Sequence, residues 1–511
     1  MHQRGQGRDA AGRDGRRRPR RAAGATGEIL ELEVTGLSHG PAAIARDQGR
    51  VVFVRGGAPG DRVRARVVAR KKSYAEAQVV EVVTAGEARR EPPCPHVAEC
   101  GGCPWQHVSY AAQLAAKAGN VRREIGRLPG VAAERLDELI GDLLPAPAEW
   151  GYRQRVRLHV DRRRRLGYQR PRSHAVVPIE TCTIAHPEIV DHLEAVATLV
   201  AAMVTPLDTV EIAAREDGAG VVLVVSATAA FAHADRPLIH QLRDQVPSVL
   251  GVFVHGPGWA WQDGDDLVPV QPRADVLPIE IPVTAFSQAN PAANRRLVEA
   301  VLEAANPDPG DRVLELFAGA GNLTAVLAPR VGALRAVERH RRAARTLAAT
   351  ARGRGWRHVE VEEGDVGEVL ERLVARTDAA AAGEARSGEA PSGETPSGEA
   401  PSGEARSGQA LPGEPRFDLV VADPPRSGML AESHQLAALR PRRLVYVSCD
   451  LPTLVRDLRV LLAAGYGLRR VQPIDLFPQT HHVELVVTLD CDGASGPPPG
   501  MSEGGEPDQK P

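Results

Sequence analysis

The sequence predicts an α/β chain: a doubly wound, largely parallel sheet in its C-terminal part, a small β-barrel near its start and an α+β domain between them. Three observations lead there. After Asn290 the β-forming runs "RVLELF", "ALRAVE", "VEVEEGD", "FDLVVADPP", "RRLVYVSC" and "VELVVTLD" alternate with helical patterns, and strands that alternate with helices pair in parallel. From Gly27 to about Gly86 the runs "ILELEVTGL", "GRVVFVRG", "DRVRARVVAR" and "AEAQVVEVV" are separated by glycine and proline turns, as in closed barrels of about five short strands. Between the two, a cysteine-bearing segment, a helical stretch to about Leu144 and alternating segments to about Pro282 complete the central domain.

The predicted boundaries are therefore a barrel over 27–86, a central domain over 87–285 and an α/β domain over 286–490. Residues 1–26 are crowded with arginine and almost free of apolar side chains, so they cannot bury a core and are expected to be disordered. Residues 378–415 carry imperfect pentapeptides such as "PSGET", "PSGEA" and "RSGQA"; proline, serine, glycine and glutamate without large apolar residues read as a disordered insertion. Residues 491–511 have the same character.

At 511 residues, 43% hydrophobic and 25% charged, the composition is that of an ordinary soluble protein of several domains. No apolar run approaches the roughly 18 residues of a membrane span, and no apolar core of a secretory signal is present. A cytoplasmic monomer without a membrane partner is the expectation. The net charge of -2 hides a strong asymmetry. Nine arginines between Arg153 and Arg172 are interleaved with Tyr168 and preceded by Trp150 and Tyr152, a composition suited to phosphate contact and base stacking. On the barrel, Arg62, Arg64, Arg66, Arg70, Lys71 and Lys72 would line part of one face, although such runs are often only the wet side of a strand.

Chemistry concentrates in the last part. "VLELFAGAGNLT" places Gly319 and Gly321 where a strand turns into a helix, which lets backbone approach a nucleotide-like cofactor. The third glycine of a dinucleotide fingerprint is replaced by Thr324. Glu338 ends the next strand, placed for a ribose diol, and Asp365 and Asp423 follow later strands, at the carboxyl ends where open α/β sheets bind ligands. Three acids and a glycine loop in one crevice fit S-adenosylmethionine. Enzymes that methylate exocyclic amines often carry an aromatic after Asp-Pro-Pro; here that residue is Arg426.

The next strand ends in Cys449. Pyrimidine C5 takes up a methyl group only after a thiolate has added at C6, and a cysteine beside the cofactor supplies that thiolate. A base must then remove the C5 proton. Glu484, an unusual residue for an apolar strand, is the candidate. Taken alone, Cys449 could be a space-filling thiol and Glu484 an edge-facing glutamate.

"DPPRSG", then "LVYVSCDLPT", then "IDLFPQTHHVE" resemble, in order and spacing, the signature motifs of the RNA uracil-5 methyltransferase family. The likeness runs from about Gly27 to Leu489: the N-terminal barrel resembles a TRAM domain, and "AFSQAN" resembles the family's cofactor-contacting glutamine motif. The resemblance implies a Rossmann-like class I methyltransferase domain, with Cys449 as nucleophile and Glu484 as proton-abstracting base. It also implies that Gln288, Phe317, Asn322, Glu338, Asp365 and Asp423 surround S-adenosylmethionine. Glu315 and Ala318 depart from the family's usual Asp and Cys, and Leu451 from its usual proline.

Cys94, Cys100, Cys103 and Cys182 form a C-x5-C-x2-C group with a distant fourth member. Such a thiolate set could hold zinc or a [4Fe–4S] cluster; the resemblance to the family's cluster-bearing members favours iron–sulfur. The implied activity is formation of 5-methyluridine in RNA, in 23S rRNA rather than the tRNA T-loop. Three alternatives stay open: uridine methylation in the tRNA T-loop, with tRNA as the partner; cytosine-C5 methylation, which usually brings a second cysteine that this site lacks; and a non-catalytic iron–sulfur RNA-binding protein.

Overall fold

The structure, a computed structural model, describes residues 27–387 and 416–491. The expectations for residues 1–26, 388–415 and 492–511 lie outside the described residues. The chain divides into two compact units at Arg89, with Ser38–Pro41 counted to the second.

The first unit is a closed barrel of β1 (Ile29–Leu37), β2 (Ala43–Asp47), β3 (Arg50–Arg55), β4 (Arg62–Arg70) and β5 (Tyr74–Thr84), paired in the order β1-β2-β3-β5-β4. Along β4, Val63, Ala65 and Val67 point into the barrel while Arg62, Arg64 and Arg66 alternate outward, as the two-residue period of a strand requires. The outward arginines are partly committed. Arg62 pairs with Glu31 at 3.5 Å and Arg64 with Glu81 at 2.8 Å, and Arg70 pairs with Glu28. Asp61 anchors the turn before β4: burial pushes its carboxyl up, but Arg89 and the backbone N–H groups of Gly86 and Ala58 outweigh that and hold it below the usual range.

The second unit begins with α1 (Tyr110–Ile125) and the single turn α2 (Leu136–Leu139). A seven-stranded sheet follows, made of β6 (Arg155–Val160), β7 (Leu166–Gln169), β8 (Val176–Pro178), β9 (Leu207–Ala214), β10 (Val221–Ala227), β11 (Val249–Gly256) and β12 (Trp259–Gly264). Their order is β12-β11-β10-β9-β6-β7-β8. Helices α3 (Pro187–Ala202) and α4 (Asp235–Gln245) pack on it through Ile189, Val196 and Ile239 against Ile212, Leu223 and Val252.

A hairpin of β13 (Leu267–Val270) and β14 (Ile279–Pro282) leads to α5 (Pro291–Ala305) and the last sheet. Its elements are β15 (Arg312–Leu316), α6 (Thr324–Leu327), β16 (Ala333–Glu338), α7 (Arg341–Gly353), β17 (Val359–Glu363), α8 (Val366–Ser387), β18 (Leu419–Ala422), α9 (Leu430–Leu439), β19 (Arg443–Ser448), α10 (Leu451–Ala463), β20 (Tyr466–Ile474) and β21 (Glu484–Cys491). The strand order is β17-β16-β15-β18-β19-β21-β20. The pairings through β19 are parallel and β21 runs antiparallel. Apolar cores on both faces explain the near-continuous Val and Leu runs in β18, β19 and β21.

Three sequence expectations need correction here. Helix α8 continues to Ser387, about ten residues into the segment read as a loop, because "DAAAAGEA" is rich in the best helix former. Tyr152 and Tyr168 are not stacking surfaces: Tyr152 is buried and donates to the Pro478 carbonyl at 3.0 Å, and Tyr168 packs beside Cys182. Much of the arginine run is also bound internally, with Arg155 and Arg157 on Glu211, Arg165 on Asp161 and Arg170 on Glu99. No described helix is long and apolar enough to cross a membrane.

Candidate active site

The site is assembled at the carboxyl ends of β15, β18 and β19, where the amino end of antiparallel β21 joins them. Ser448, the last residue of β19, faces Leu485 in β21; one step further along that ladder brings Cys449 level with Glu484. Glu484 also pairs with Ile474, the end of β20. It is therefore enclosed between two strands, 3% exposed. Cys449 precedes Asp450, which caps α10 by accepting from the Thr453 N–H at 3.0 Å, and it remains half-buried.

Burial and a neighbouring Asp423 push the Glu484 carboxyl up to about 8. Asp423, directly after β18, is itself raised to about 7 by burial. Burial, then the charges of Glu484, Asp423 and Asp450, push the Cys449 thiol up to about 12, opposed by Arg426. Arg426 is thus the cation that acts on both groups. Its loop is fixed from α10: Arg456 donates to the Ser427 carbonyl at 2.8 Å, Thr453 to the Arg426 carbonyl at 3.2 Å, and the Met429 N–H to buried Asp457 at 2.8 Å. Gly428 is required there, since φ is +71° and a Cβ would meet the Asp457 carboxylate at 2.4 Å. His481 and His482, with ring centroids 4.2 Å apart, are held neutral mainly by burial, at about 4 and about 3.

Beside this group lies a cavity lined by Gln288, Phe317, Asn322 and Asp423, with Phe286 and Glu315. Phe317 takes a left-handed φ of 61°, a conformation that costs about 1 kcal/mol or more in a residue with a side chain. Asn322 exchanges two hydrogen bonds with Asn294 on α5, at 2.9 and 3.0 Å. Glu315 is fully enclosed, accepts from the Thr324 hydroxyl at 2.6 Å and is raised to about 8 by burial. Glu338 accepts from the Gly319 N–H at 2.8 Å. It does not line the cavity, and neither does Asp365, whose carboxylate accepts from the Gly367 N–H at 3.0 Å and lies 3.6 Å from Arg339.

Cys94, Cys100, Cys103 and Cys182 line a second cavity, of about 40 Å³, with Arg153, Tyr168 and Gln106. Around it His96 Nε2, Gln106 Oε1 and Thr183 Oγ1 are buried without partners. Among the described residues, no group of three or more His, Cys, Asp or Glu side chains is placed to hold a metal ion. Sequence reading missed the charge role of Arg426 and the enclosure of Glu315. Arg426 carried a signal in its position after "DPP"; Glu315 carried one only as a departure from a motif.

An α/β sheet in this order, with a glycine loop and acids at its carboxyl edge, defines a class I methyltransferase. Residues 25–80 match the TRAM domain model, and residues 413–491 match the model of the tRNA (uracil-5-)-methyltransferases. The chain is 32% identical over 493 residues to an uncharacterized RNA methyltransferase of Streptomyces avermitilis, covering 91% of this chain and 98% of that one. It is 32% identical over 498 residues to the 23S rRNA (uracil(1939)-C(5))-methyltransferase RlmD of Alkalilimnicola ehrlichii, covering 94% and 98%. The fold is that of the Pyrococcus abyssi tRNA (uracil-54, C5)-methyltransferase solved with S-adenosyl-L-homocysteine, with a TM-score of 0.64 at 19% identity over 90% of this chain and 99% of that one. The chain belongs to the RNA (uracil-5-)-methyltransferase family.

Proposed function

We propose that this protein methylates C5 of a uridine in 23S rRNA, with Cys449 as nucleophile and Glu484 as the base. The observation that carries the reading is the meeting of Cys449, Glu484, Asp423 and Arg426 at one sheet edge beside the glycine-loop cavity. The relatives named for 23S rRNA align over nearly the whole chain, which supports ribosomal rather than transfer RNA.

S-adenosylmethionine supplies an electrophilic methyl group on a sulfonium. Gln288, Phe317, Asn322 and Asp423 would hold it in the cavity, while Glu338 and Asp365 stay outside that lining; the concentration of carboxylates suits its positive charge. The target base leaves its stack to reach the crevice. Cys449 gives up its proton to solvent water and its thiolate adds to C6, moving the C5–C6 π electrons toward O4 as an enolate, so that C5 becomes nucleophilic. Arg426 favours the thiolate by its charge. After methyl transfer the Glu484 carboxylate takes the C5 proton, the C5–C6 double bond re-forms and the thiolate departs. Burial, by raising the Glu484 carboxyl to about 8, makes its carboxylate a stronger base toward the C5 proton than an exposed glutamate would be.

The cysteine cavity is read as a [4Fe–4S] site, with zinc as the alternative. Four thiols and no carboxylate are suitable donors, though loading would have to draw them together. Anaerobically purified protein should carry about four irons per chain and absorb near about 400 nm; zinc without iron overturns this part. The function itself is tested by mapping 5-methyluridine in ribosomal and transfer RNA from a deletion strain. Loss of one 23S position is expected; loss only in tRNA, or no loss, contradicts it.

A further inference from the structure

Only the last residue of the segment from Asp475 to Glu484 enters the chemistry above, yet its earlier residues make an unusual number of buried polar contacts. Residues 475–483 join β20 to β21 without regular structure. Asp475 and Gln479 are both 0% exposed. Lys117 on α1, 1% exposed, donates to Asp475 Oδ1 at 2.7 Å and to the Phe477 carbonyl at 3.1 Å. One helical turn earlier, on the same face, Gln113 makes a reciprocal amide pair: its Nε2 donates to Gln479 Oε1 at 2.9 Å and its Oε1 accepts from the Gln479 N–H at 2.9 Å. The N–H of Trp105 donates to the Gln479 carbonyl at 3.0 Å and the Tyr152 hydroxyl to that of Pro478 at 3.0 Å.

These contacts set the loop's shape. Gln479 has a φ of 70°, a left-handed conformation that persists in a residue with a side chain only where surroundings over-determine it. A fully buried lysine–aspartate pair adds little net stability, because desolvation offsets most of the attraction, and an apolar pair of similar volume would serve as well for packing. What the pair does supply is a fixed position for the chain. Five residues after Gln479 that chain delivers Glu484 to the crevice.

We propose that Lys117 and Gln113 are positioning residues that hold the 475–483 loop so that Glu484 meets the C5 proton, an inference that rests on the reading of Glu484 as base. The role differs from that of a general stabiliser in one respect. Displacing Glu484 while leaving Cys449 and the cofactor cavity intact should stall the reaction after methyl transfer, so the thioether to C6 persists.

The test compares Lys117→Met, Gln113→Leu and the milder Gln113→Asn with wild type and with Glu484→Gln. Thermal melting establishes which variants are folded, calorimetry gives S-adenosylmethionine affinity, and a denaturing gel detects protein–RNA adduct carrying labelled methyl. Folded Lys117 or Gln113 variants are expected to bind the cofactor as wild type does, to turn over about 100-fold more slowly, the cost of misplacing a reacting group by about 1 Å, and to accumulate labelled adduct. Should Lys117→Met fail to fold, the two uncharged Gln113 changes decide. Folded variants with wild-type turnover, or with slow turnover and no adduct where Glu484→Gln shows one, overturn the proposal. Absence of adduct in Glu484→Gln itself overturns instead the reading of Glu484 on which it rests.

Discussion

Cys449 stands one residue beyond the Ser448–Leu485 pair, level with Glu484 on the neighbouring antiparallel strand. The charge of Glu484 makes the Cys449 thiol more expensive to ionise. With its thiol pushed up to about 12, chiefly by burial and then by Glu484, Cys449 in the free protein should react with iodoacetamide at pH 9 at least about 100-fold more slowly than free cysteine. Glu484→Gln should speed alkylation and Arg426→Gln slow it further, since the first removes a negative charge and the second a positive one. Mass spectrometry of the peptide containing Cys449 follows both; the opposite order would contradict the arrangement.

A second outcome concerns stability against pH. Glu484 is raised from 4.5 to about 8 and Asp423 from 3.8 to about 7 by burial. Between those limits the folded protein binds protons that the unfolded chain has released, so stability is greatest at low pH in this window and falls as pH rises through about 8. Glu484→Gln mimics the protonated form. It should be roughly 2 kcal/mol or more stable than wild type at pH 8 and nearly equal to it at pH 5, measured by urea unfolding.

Gly428 tests how firmly Arg426 is held. Alanine there meets both a φ of +71° and the Asp457 carboxylate, which already accepts from Met429 and Tyr446. Gly428→Ala should lose about 2 kcal/mol or more in denaturant unfolding and lose turnover even at temperatures where it is fully folded. Unchanged stability would mean that this loop is looser than its hydrogen bonds imply.

The repeat segment provides a contrast. It follows α8 and precedes β18, at the amino end of that strand, whereas the crevice lies at the carboxyl ends. Removing residues 390–413 should leave methyl transfer within about threefold of wild type, well under 1 kcal/mol in the barrier. A larger loss would give those residues a part in RNA binding.

The parts of this architecture that were legible in the sequence are those written in local patterns. The Val- and Leu-rich strands β18, β19 and β21 announced a buried, largely parallel sheet, in which β21 proves antiparallel, and motif spacing singled out Cys449 and Glu484. β2 and β20 escaped notice for physical reasons: "AIARD" is only five residues long, and "YGLRRVQPI" breaks its alternation with glycine, two arginines and proline. Tyr152 and Tyr168 looked like stacking groups because composition does not reveal burial. Asp365 ended a β-forming run, yet its contacts draw it to Gly367 and Arg339 rather than to the cavity. The Lys117–Asp475 pair joins residues 358 positions apart, a contact that only the folded chain displays.

The central claim, that Cys449 and Glu484 act as nucleophile and base on one uridine, is tested most directly by a single gel. Glu484→Gln protein incubated with 23S rRNA and methyl-labelled S-adenosylmethionine, then denatured, should run as a labelled protein–RNA adduct, and Cys449→Ala protein should form none while still binding the cofactor. A Glu484→Gln protein that turns over normally, or a Cys449→Ala protein retaining more than about a thousandth of the wild-type rate, a loss of only about 4 kcal/mol, would contradict it.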